Sequence, residues 1–382
     1  MPAKSPARPP KVLHLGKYYH PDSGGIETVT KDAALGAARA GWEACVLCFG
    51  KVAELREERC SDVRILRAPI WRLVASQPFG WQYFRRFMRE ARTVDIVHVH
   101  VPNMLAALAL VLARIPGRVV VHWHSDVVGK GWLGRLSRPL EWLMLRRADA
   151  ILATSRAYAD TSTALRRFQE KVCIVPIGID DVADDEAGVP ASATPLVLAV
   201  GRLVPYKGFD VLVDAARELP PDCRVVIVGG GELRPELEAR IQSSGLAGRV
   251  VLAGRLDDAD LRALFQQADV FCLPSVSRAE AFGVVLLEAM AHALPIVASD
   301  IAGSGVPWVN SHLQTGVNVP VGDAAALAAA LRQLLADPAR RAAMGRQARL
   351  RFEAEFTADL ATRRILALYA RLLGHAPAGV ET

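Results

Sequence analysis

A chain of 382 residues with a hydrophobic fraction of 51% is long enough for two domains of ordinary size and apolar enough to give each a core. Its six cysteines are scattered, several in apolar runs, which argues against a disulfide-stapled scaffold and for reduced thiols in the cytoplasm. The longest apolar run, around Met104 to Ala113, falls short of the roughly 20 residues a membrane span needs, and the Pro- and Lys/Arg-rich residues 1–10 lack a signal peptide's apolar core and read as a disordered tail.

Lys11 to Leu15 reads as a short apolar strand. The loop after it ends in Ser23-Gly24-Gly25, and Ile26-Glu27 start a helix to about Ala40. A strand, a glycine turn and a helix N-terminus make an anion cradle, because glycine lets backbone amides approach a phosphate closely. Further strands are expected at Ala44 to Phe49, Val63 to Arg67, Ile96 to His100, Val119 to His122, Ala150 to Ala153 and Val172 to Pro176. Helices are expected at Glu141 to Ala148 and from Thr154-Ser155 to about Phe168. Strands alternating with helices argue a parallel, doubly wound sheet, whose ligands sit beyond the carboxyl ends of the strands. Cys45 and Cys48 form a C-x-x-C inside a strand, where residues three apart face opposite sides, so they read as core thiols.

Histidines punctuate two of these strands. His98 and His100 alternate with valines; His98 reads as a core histidine and His100, at the strand end, as an acceptor-side residue. His124 follows its strand and is preferred to His122 as the cleft-facing imidazole, able to hydrogen-bond a ligand hydroxyl. A zinc site from His122, His124 and Asp126 is the rival reading, and Asp126 would otherwise orient His124 or cap the next helix.

The net charge of +6 is unevenly placed: residues 1–185 hold 27 Lys and Arg against 19 acids. No nucleic-acid recognition motif accompanies them, whereas aromatics do, with Trp71, Phe79, Trp81, Tyr83, Phe84 and Phe87 beside Arg72, Arg85, Arg86, Arg89 and Arg92. A second group holds Lys130, Trp132, Arg135, Arg138, Trp142, Arg146 and Arg147. An anionic membrane surface fits such patches; amphipathic helices with solvated Arg are the plainer reading.

The acidic, Pro- and Ala-rich stretch from Asp181 to Pro195 has no hydrophobic period and reads as an interdomain linker. The pattern then restarts. Leu196 to Val200 is a strand, followed by a loop with Arg202 and Lys207, which together can neutralise a diphosphate. Arg224 to Val228 leads into Gly229-Gly230-Gly231, Val250 to Leu252 is a strand, and Asp258 to Gln267 a helix; Pro295 to Ala298 is a further strand, and Gly316 and Asn318 to Pro320 close the sheet. Two Ala/Leu/Arg-rich helices finish the chain, the last near Leu360 to Leu373.

The stretch that organises this half runs from the strand Val270 to Leu273 through a polar loop into an apolar helix, and carries Glu280 and Glu288. Ionised groups are seldom left near a core without a partner. Helical rise over eight residues separates their backbones by roughly 12 Å, too far for one metal and beyond the roughly 5–9.5 Å of a glycosidase carboxylate pair. An elongated ligand suits it, with hydroxyls at both ends and an anion near the helix start.

Glu280 and Glu288, with Ala281-Phe282-Gly283 after the first, resemble the E-x7-E signature of the retaining GT-B glycosyltransferases of family 4. Other landmarks resemble that family in order: Pro21 to Glu27 its P-x-x-G-G-x-E loop, Asp95 to His100 its D-I-V-H-x-H strand, His124-Ser125-Asp126 its H-S/T-D site, and Gly201 to Gly208 its G-R-L-x-x-x-K-G donor loop. Gly229 to Gly231 match its G-x-G segment, with Gly230 at the nucleotide pocket. Ile177 replaces the Asn of its P-N-G-I/V-D segment, and the loop around Gly303-Ser304-Gly305 lacks the glutamate of many relatives.

The resemblance implies an α/β protein of two Rossmann-like domains facing a cleft. Its parts would be a tail (1–10), an acceptor-binding domain (11–180), a linker (181–195), a nucleotide-sugar-binding domain (196–355) and a C-terminal helix crossing back to the first domain (356–382). It implies Glu288 on the ribose hydroxyls, Glu280 with the amides of Ala281, Phe282 and Gly283 on the donor sugar, His124 beside that sugar, and Arg202, Lys207 and the Gly24 and Gly25 amides on the leaving diphosphate. Neither metal nor cofactor is implied, and attack would come on the same face, a donor phosphate oxygen taking the acceptor's proton. The expected partners are a nucleotide-sugar donor, with GDP-mannose preferred, and a lipid-linked saccharide at the inner membrane face. A UDP-sugar, a sugar-nucleotide epimerase or hydrolase on the same scaffold, and a catalytically silent binder are the alternatives.

Overall fold

The computed structural model of the chain describes residues 8–21, 24–74, 77–126, 131–182 and 194–374, with the backbone alone for 131–137. It divides into two compact units, residues 1–178 with 358–382, and residues 179–357.

The first unit contains β1 (Lys11–Leu15), α1 (Gly25–Arg39), β2 (Glu43–Gly50), β3 (Arg56–Cys60), β4 (Val63–Pro69), β5 (Arg72–Val74), β6 (Gln77–Phe79), α2 (Trp81–Glu90), β7 (Ile96–Val101), α3 (Met104–Leu112), β8 (Arg118–Trp123), α4 (Gly131–Arg147), β9 (Ala150–Ala153), α5 (Arg156–Thr161) and β10 (Val172–Ile174). Its eight-stranded sheet runs β10-β9-β8-β7-β1-β2-β4-β3, so the winding reverses between β1 and β7. All neighbours are parallel except β3 against β4. Inner strands such as β9 are buried at every residue, which is why they read as near-continuous apolar runs. β3 is the opposite case. Its sequence Arg-Glu-Glu-Arg-Cys is mostly exposed, and Glu57 and Glu58 pair with Arg64 and Arg67 of β4, a charged edge that discourages pairing with another chain.

The second unit holds β11 (Leu196–Val200), α6 (Phe209–Ala216), β12 (Arg224–Val228), α7 (Arg234–Ser243), β13 (Val250–Gly254), α8 (Asp258–Gln267), β14 (Val270–Leu273), α9 (Val284–Ala291), β15 (Ile296–Ser299), α10 (Val306–Val309), β16 (Gly316–Val319), α11 (Ala324–Ala336) and α12 (Pro338–Glu355). The order β13-β12-β11-β14-β15-β16, all parallel, is the Rossmann order, with its switch point between β11 and β14. The last helix, α13 (Ala358–Leu372), returns to the first unit and packs on α1, where Gly36 leaves room for Thr362.

Several sequence expectations shift. β3 and the β5–β6 hairpin carry no apolar alternation and are additional. The helix after Ser155, whose Oγ caps it, ends at Thr161 instead of running to Phe168; Thr161 Oγ1 bonds back to Ala157 O, and two short 3-10 turns follow. α4 starts ten residues before Glu141. Cys45 and Cys48 are buried in β2, and neither forms a disulfide among the described residues. The tail at 1–7, most of the linker (183–193) and Lys130 lie outside the described residues, as do the side chains of Trp132 and Arg135.

Candidate active site

In the second unit the loops after β11 and β14 meet at the switch point. Gly208, with φ of 64°, stands so close to the end of β14 that a Cβ would lie 2.2 Å from Pro274 O, and Val276 N donates to Tyr206 O at 2.8 Å. This contact brings Lys207 and Glu280 together. Lys207 Nζ lies 2.6 Å from Glu280 Oε2, both residues are 8% exposed, and Ser275 Oγ donates to the same carboxylate oxygen at 2.9 Å. Arg202 is placed differently: it is exposed, with Nη2 donating to Tyr206 OH at 3.3 Å. The expected pair of diphosphate-gripping cations is thus one buried lysine already engaged by a carboxylate and one exposed arginine.

α9 starts only at Val284, capped by Gly283 in the left-handed region at φ of 78°. Glu280 therefore sits in a turn, and a separation from Glu288 reckoned by helical rise does not apply. Among the described residues the amide N–H groups of Ala281, Phe282 and Gly283, just ahead of the helix, have no backbone acceptor and remain free donors. The loop at Gly303-Ser304-Gly305 braces this turn. Ser304 Oγ donates to Glu280 O, Gly305 N to Ala281 O at 2.8 Å, and Arg278 Nε to Gly303 O at 3.1 Å. Ser275 and Ser304 are site residues that the sequence did not single out; a short hydroxyl five residues before Glu280 was the available signal.

The Phe282 side chain is 3% exposed and packs near Trp308 and Phe356, so only its backbone is available to a ligand. Glu288, in the second turn of α9, is half-buried. Burial first, and the nearby Asp258 second, push its carboxyl up to about 7, with Lys207 opposing. Gly230 accepts from Leu203 N at 3.0 Å through its carbonyl and faces the Arg255 side chain; Gly229, at φ of 141°, has no room for a Cβ against Gly201 O.

The first unit carries a layer of imidazoles at the carboxyl ends of β1, β7 and β8. Strand register sets His14 beside His98 and His100 beside His122, all on the sheet face covered by α1 and α13. His124 follows β8 on that face, 6% exposed. Burial lowers all five, His14 and His122 to about 3 and the others well below the usual value, so the layer is neutral at physiological pH. His98 Nδ1 meets Tyr369 OH of α13 at 2.5 Å, which makes it a core histidine as expected. His100 is corrected: it is 1% exposed and bonded to His14 and His124 at 3.2 and 3.1 Å. The set His122, His124 and Asp126 does not form, because the Asp126 carboxylate accepts from Trp123 Nε1 at 3.0 Å and Ser162 Oγ at 2.6 Å, and His124 Nδ1 has no hydrogen-bond partner among the described residues. Gly24 and Gly25 are exposed at the start of α1.

Two family models cover the chain, the Glycosyltransferase Family 4 model over residues 23–182 and the Glycosyl transferases group 1 model over 183–351. The O-antigen chain mannosyltransferase C of Escherichia coli is 35% identical over 95% of this chain and 99% of its own length. The chain is a family 4 glycosyltransferase. D-rhamnosyltransferase WbpZ of Pseudomonas aeruginosa is 34% identical over 91% of this transferase and 92% of its own length. Among solved structures, sucrose-phosphate synthase from Thermosynechococcus elongatus matches with a TM-score of 0.78 at 23% identity, covering 96% of this chain and 99% of that one. Anabaena HepE in complex with UDP-glucose matches with a TM-score of 0.73 at 20% identity, covering 94% and 99%. The transferase therefore has two Rossmann-like units of the GT-B class and belongs to a retaining family. Among its described residues, no helix is long and apolar enough to cross a membrane.

Proposed function

We propose that this transferase moves a sugar from a nucleoside diphosphate to a lipid-linked saccharide during assembly of a bacterial surface polysaccharide. The observation that carries the donor half is the Lys207–Glu280–Ser275 cluster beside three free amides at a Rossmann switch point, where positive charge and N–H donors can meet a leaving diphosphate. In this reading Lys207, joined by the exposed Arg202, stabilises the charge growing on the diphosphate. Glu280 and the 281–283 amides hold the sugar, and Glu288 accepts the ribose hydroxyls. His124 and the Gly24 and Gly25 amides are the first unit's contribution. The name of the O-antigen chain mannosyltransferase relative supports the polysaccharide setting.

Two donors have support. Solved relatives with UDP or UDP-glucose in place favour a UDP-sugar, while the mannosyltransferase relative favours a mannosyl donor, such as the GDP-mannose preferred from sequence. Thermal shift with UDP-glucose and GDP-mannose side by side decides between them: at 100 times its Kd the true donor stabilises by about 2.7 kcal/mol, the other by far less. Stabilisation by neither would overturn the assignment of the donor half.

The acceptor half is supported by an exposed apolar and basic patch. On the β5–β6 hairpin and the start of α2, Trp71 is 84% exposed, Leu73 58% and Trp81 65%, with Arg72, Arg85 and Arg89 exposed around them. Tyr83 and Phe87 instead fill the core, and Arg86 is ion-paired with Glu57 and Glu90, so the patch is narrower than the sequence implies. Trp side chains entering the interface beside arginines suit an anionic lipid surface. The double substitution Trp71→Ala with Trp81→Ala is expected to weaken sedimentation with phosphatidylserine vesicles by at least about tenfold, since each lost 1.4 kcal/mol of burial is a factor of ten. Equal binding by the variant would remove the membrane role from this patch.

A further inference from the structure

The imidazole layer contains two kinds of contact. His98 with His100, and His122 with His124, lie face to face, their ring centres 4.4 and 4.1 Å apart. The pairs His14–His100 and His100–His124 meet edge to edge. Their ring planes differ by 27° and 13°, and the ring centres stand 5.5 and 5.4 Å apart against nitrogen separations of 3.2 and 3.1 Å. The difference is in each case the two centre-to-nitrogen radii of an imidazole, so the facing nitrogens lie on the line between ring centres. That is the geometry of an in-plane N–H···N hydrogen bond. Two ligands of one tetrahedral ion would instead have their rings bent toward a common point off that line. Three nitrogens of each overlapping triad do come within 4.8 Å of one another, but no carboxylate joins either group among the described residues, and a divalent charge there would be buried without compensation.

A neutral imidazole has one N–H and one lone pair, so a bond at one nitrogen dictates the state of the other. The middle ring, His100, uses Nε2 toward His14 Nδ1 and Nδ1 toward His124 Nε2. Only two arrangements satisfy both bonds. Either all three rings carry the proton on Nδ1, or all three carry it on Nε2. They differ in where the leftover N–H falls: the first places it on His124 Nδ1, beyond the end of β8, and the second on His14 Nε2, inside β1. Both atoms are buried with no hydrogen-bond partner among the described residues. A buried N–H without an acceptor is costlier than a spare lone pair, and His14, 0% exposed, has no opening through which one could be supplied, whereas His124 stands at the strand end where ligands of such sheets arrive.

We propose that His14, His100 and His124 form one hydrogen-bonded relay locked in a single tautomer, each protonated on Nδ1, so that His100 and His14 are positioning residues that make His124 a hydrogen-bond donor toward an oxygen of the bound sugar. The sugar contact rests on the proposed role of His124; the shared tautomer does not. His98, tied to Tyr369, stacks on the relay without belonging to it.

The test is a long-range proton–nitrogen correlation spectrum of the full chain labelled with nitrogen-15 histidine. In the unsubstituted protein His14, His100 and His124 are expected to show the single-tautomer pattern of an Nδ1-protonated ring, a result that needs no variant to fold. His100→Phe keeps an aromatic in the layer but cuts both bonds, and the His124 signal should change from one tautomer to a mixture, while His98→Phe should leave it as it was. Differing tautomers among the three, or an unaltered His124 pattern in His100→Phe, would overturn the relay, as would ring signals that move on addition of EDTA, the mark of a bound metal. Adding UDP-glucose or GDP-mannose should shift the His124 nitrogens. If thermal shift registers the nucleotide sugar and His124 stays still, the sugar contact fails while the shared tautomer stands.

Discussion

Lys207→Met is expected to lose transfer by about 10²–10³-fold, the cost of removing one preorganised donor from developing charge, and also to destabilise its unit by about 3–5 kcal/mol. The second effect follows from burial. The Lys207–Glu280 pair is 2.6 Å long with both side chains 10% exposed, so deleting the ammonium leaves a carboxylate in the interior with, among the described residues, only Ser275 donating to it. For a unit of this size each kcal/mol lowers Tm by about 2–4 °C, a change that calorimetry resolves easily.

The double variant Lys207→Met with Glu280→Gln separates the two roles. Removing both charges eliminates the uncompensated ion, and most of the lost Tm should return, because a buried pair replaced on both sides is often near neutral. The rate should not return. A single variant as stable as the parent would show the pair to be solvated, and a double variant that regained its rate would remove Lys207 from the leaving-group site. Because the two charges are buried against each other, replacing either residue alone is expected to cost the fold as well as the rate.

That ion pair marks what the sequence can and cannot tell. Period and composition located the parallel strands to within a residue or two, because strands such as β9 and β14 are buried on both faces and are apolar throughout. They could not find β3, whose job at the sheet edge demands charge. Spacing singled out Glu280, Lys207 and Glu288, yet not that the first two neutralise each other, since that depends on the contact between Gly208 and the end of β14, 66 residues later in sequence. Likewise His98, His100, His122 and His124 were visible as alternating positions. Only the pairing of β1 with β7 brings His14 into the same layer and makes one ring the link between two others.

Nucleotide-sugar affinity is expected to rise with pH between about 6 and 8 and to level off above. Burial, with Asp258 adding to it, raises the Glu288 carboxyl to about 7. Ribose hydroxyls donate best to the ionised carboxylate, which accepts two hydrogen bonds. With a free-state value near 7, roughly a tenth of the molecules are ionised at pH 6, so binding there should be about tenfold weaker than at pH 8. By linkage, close to one proton should be released per ligand bound at pH 6 and nearly none at pH 8. The folding term has the opposite sense. A carboxyl raised above its unfolded value of 4.5 contributes stability below that pH which is lost as pH climbs through 7, so the unliganded unit should become less stable over the interval in which binding tightens. Titration calorimetry with UDP-glucose and GDP-mannose, in buffers of different ionisation enthalpy, reads the proton directly, and the diesterified diphosphate of these ligands has no group titrating in this range. Glu288→Gln should bind weakly and without pH dependence. Proton uptake, or the same slope in that variant, would move the ribose site away from α9. Because Lys207 opposes the rise at Glu288, Lys207→Met should push the midpoint of the profile higher still.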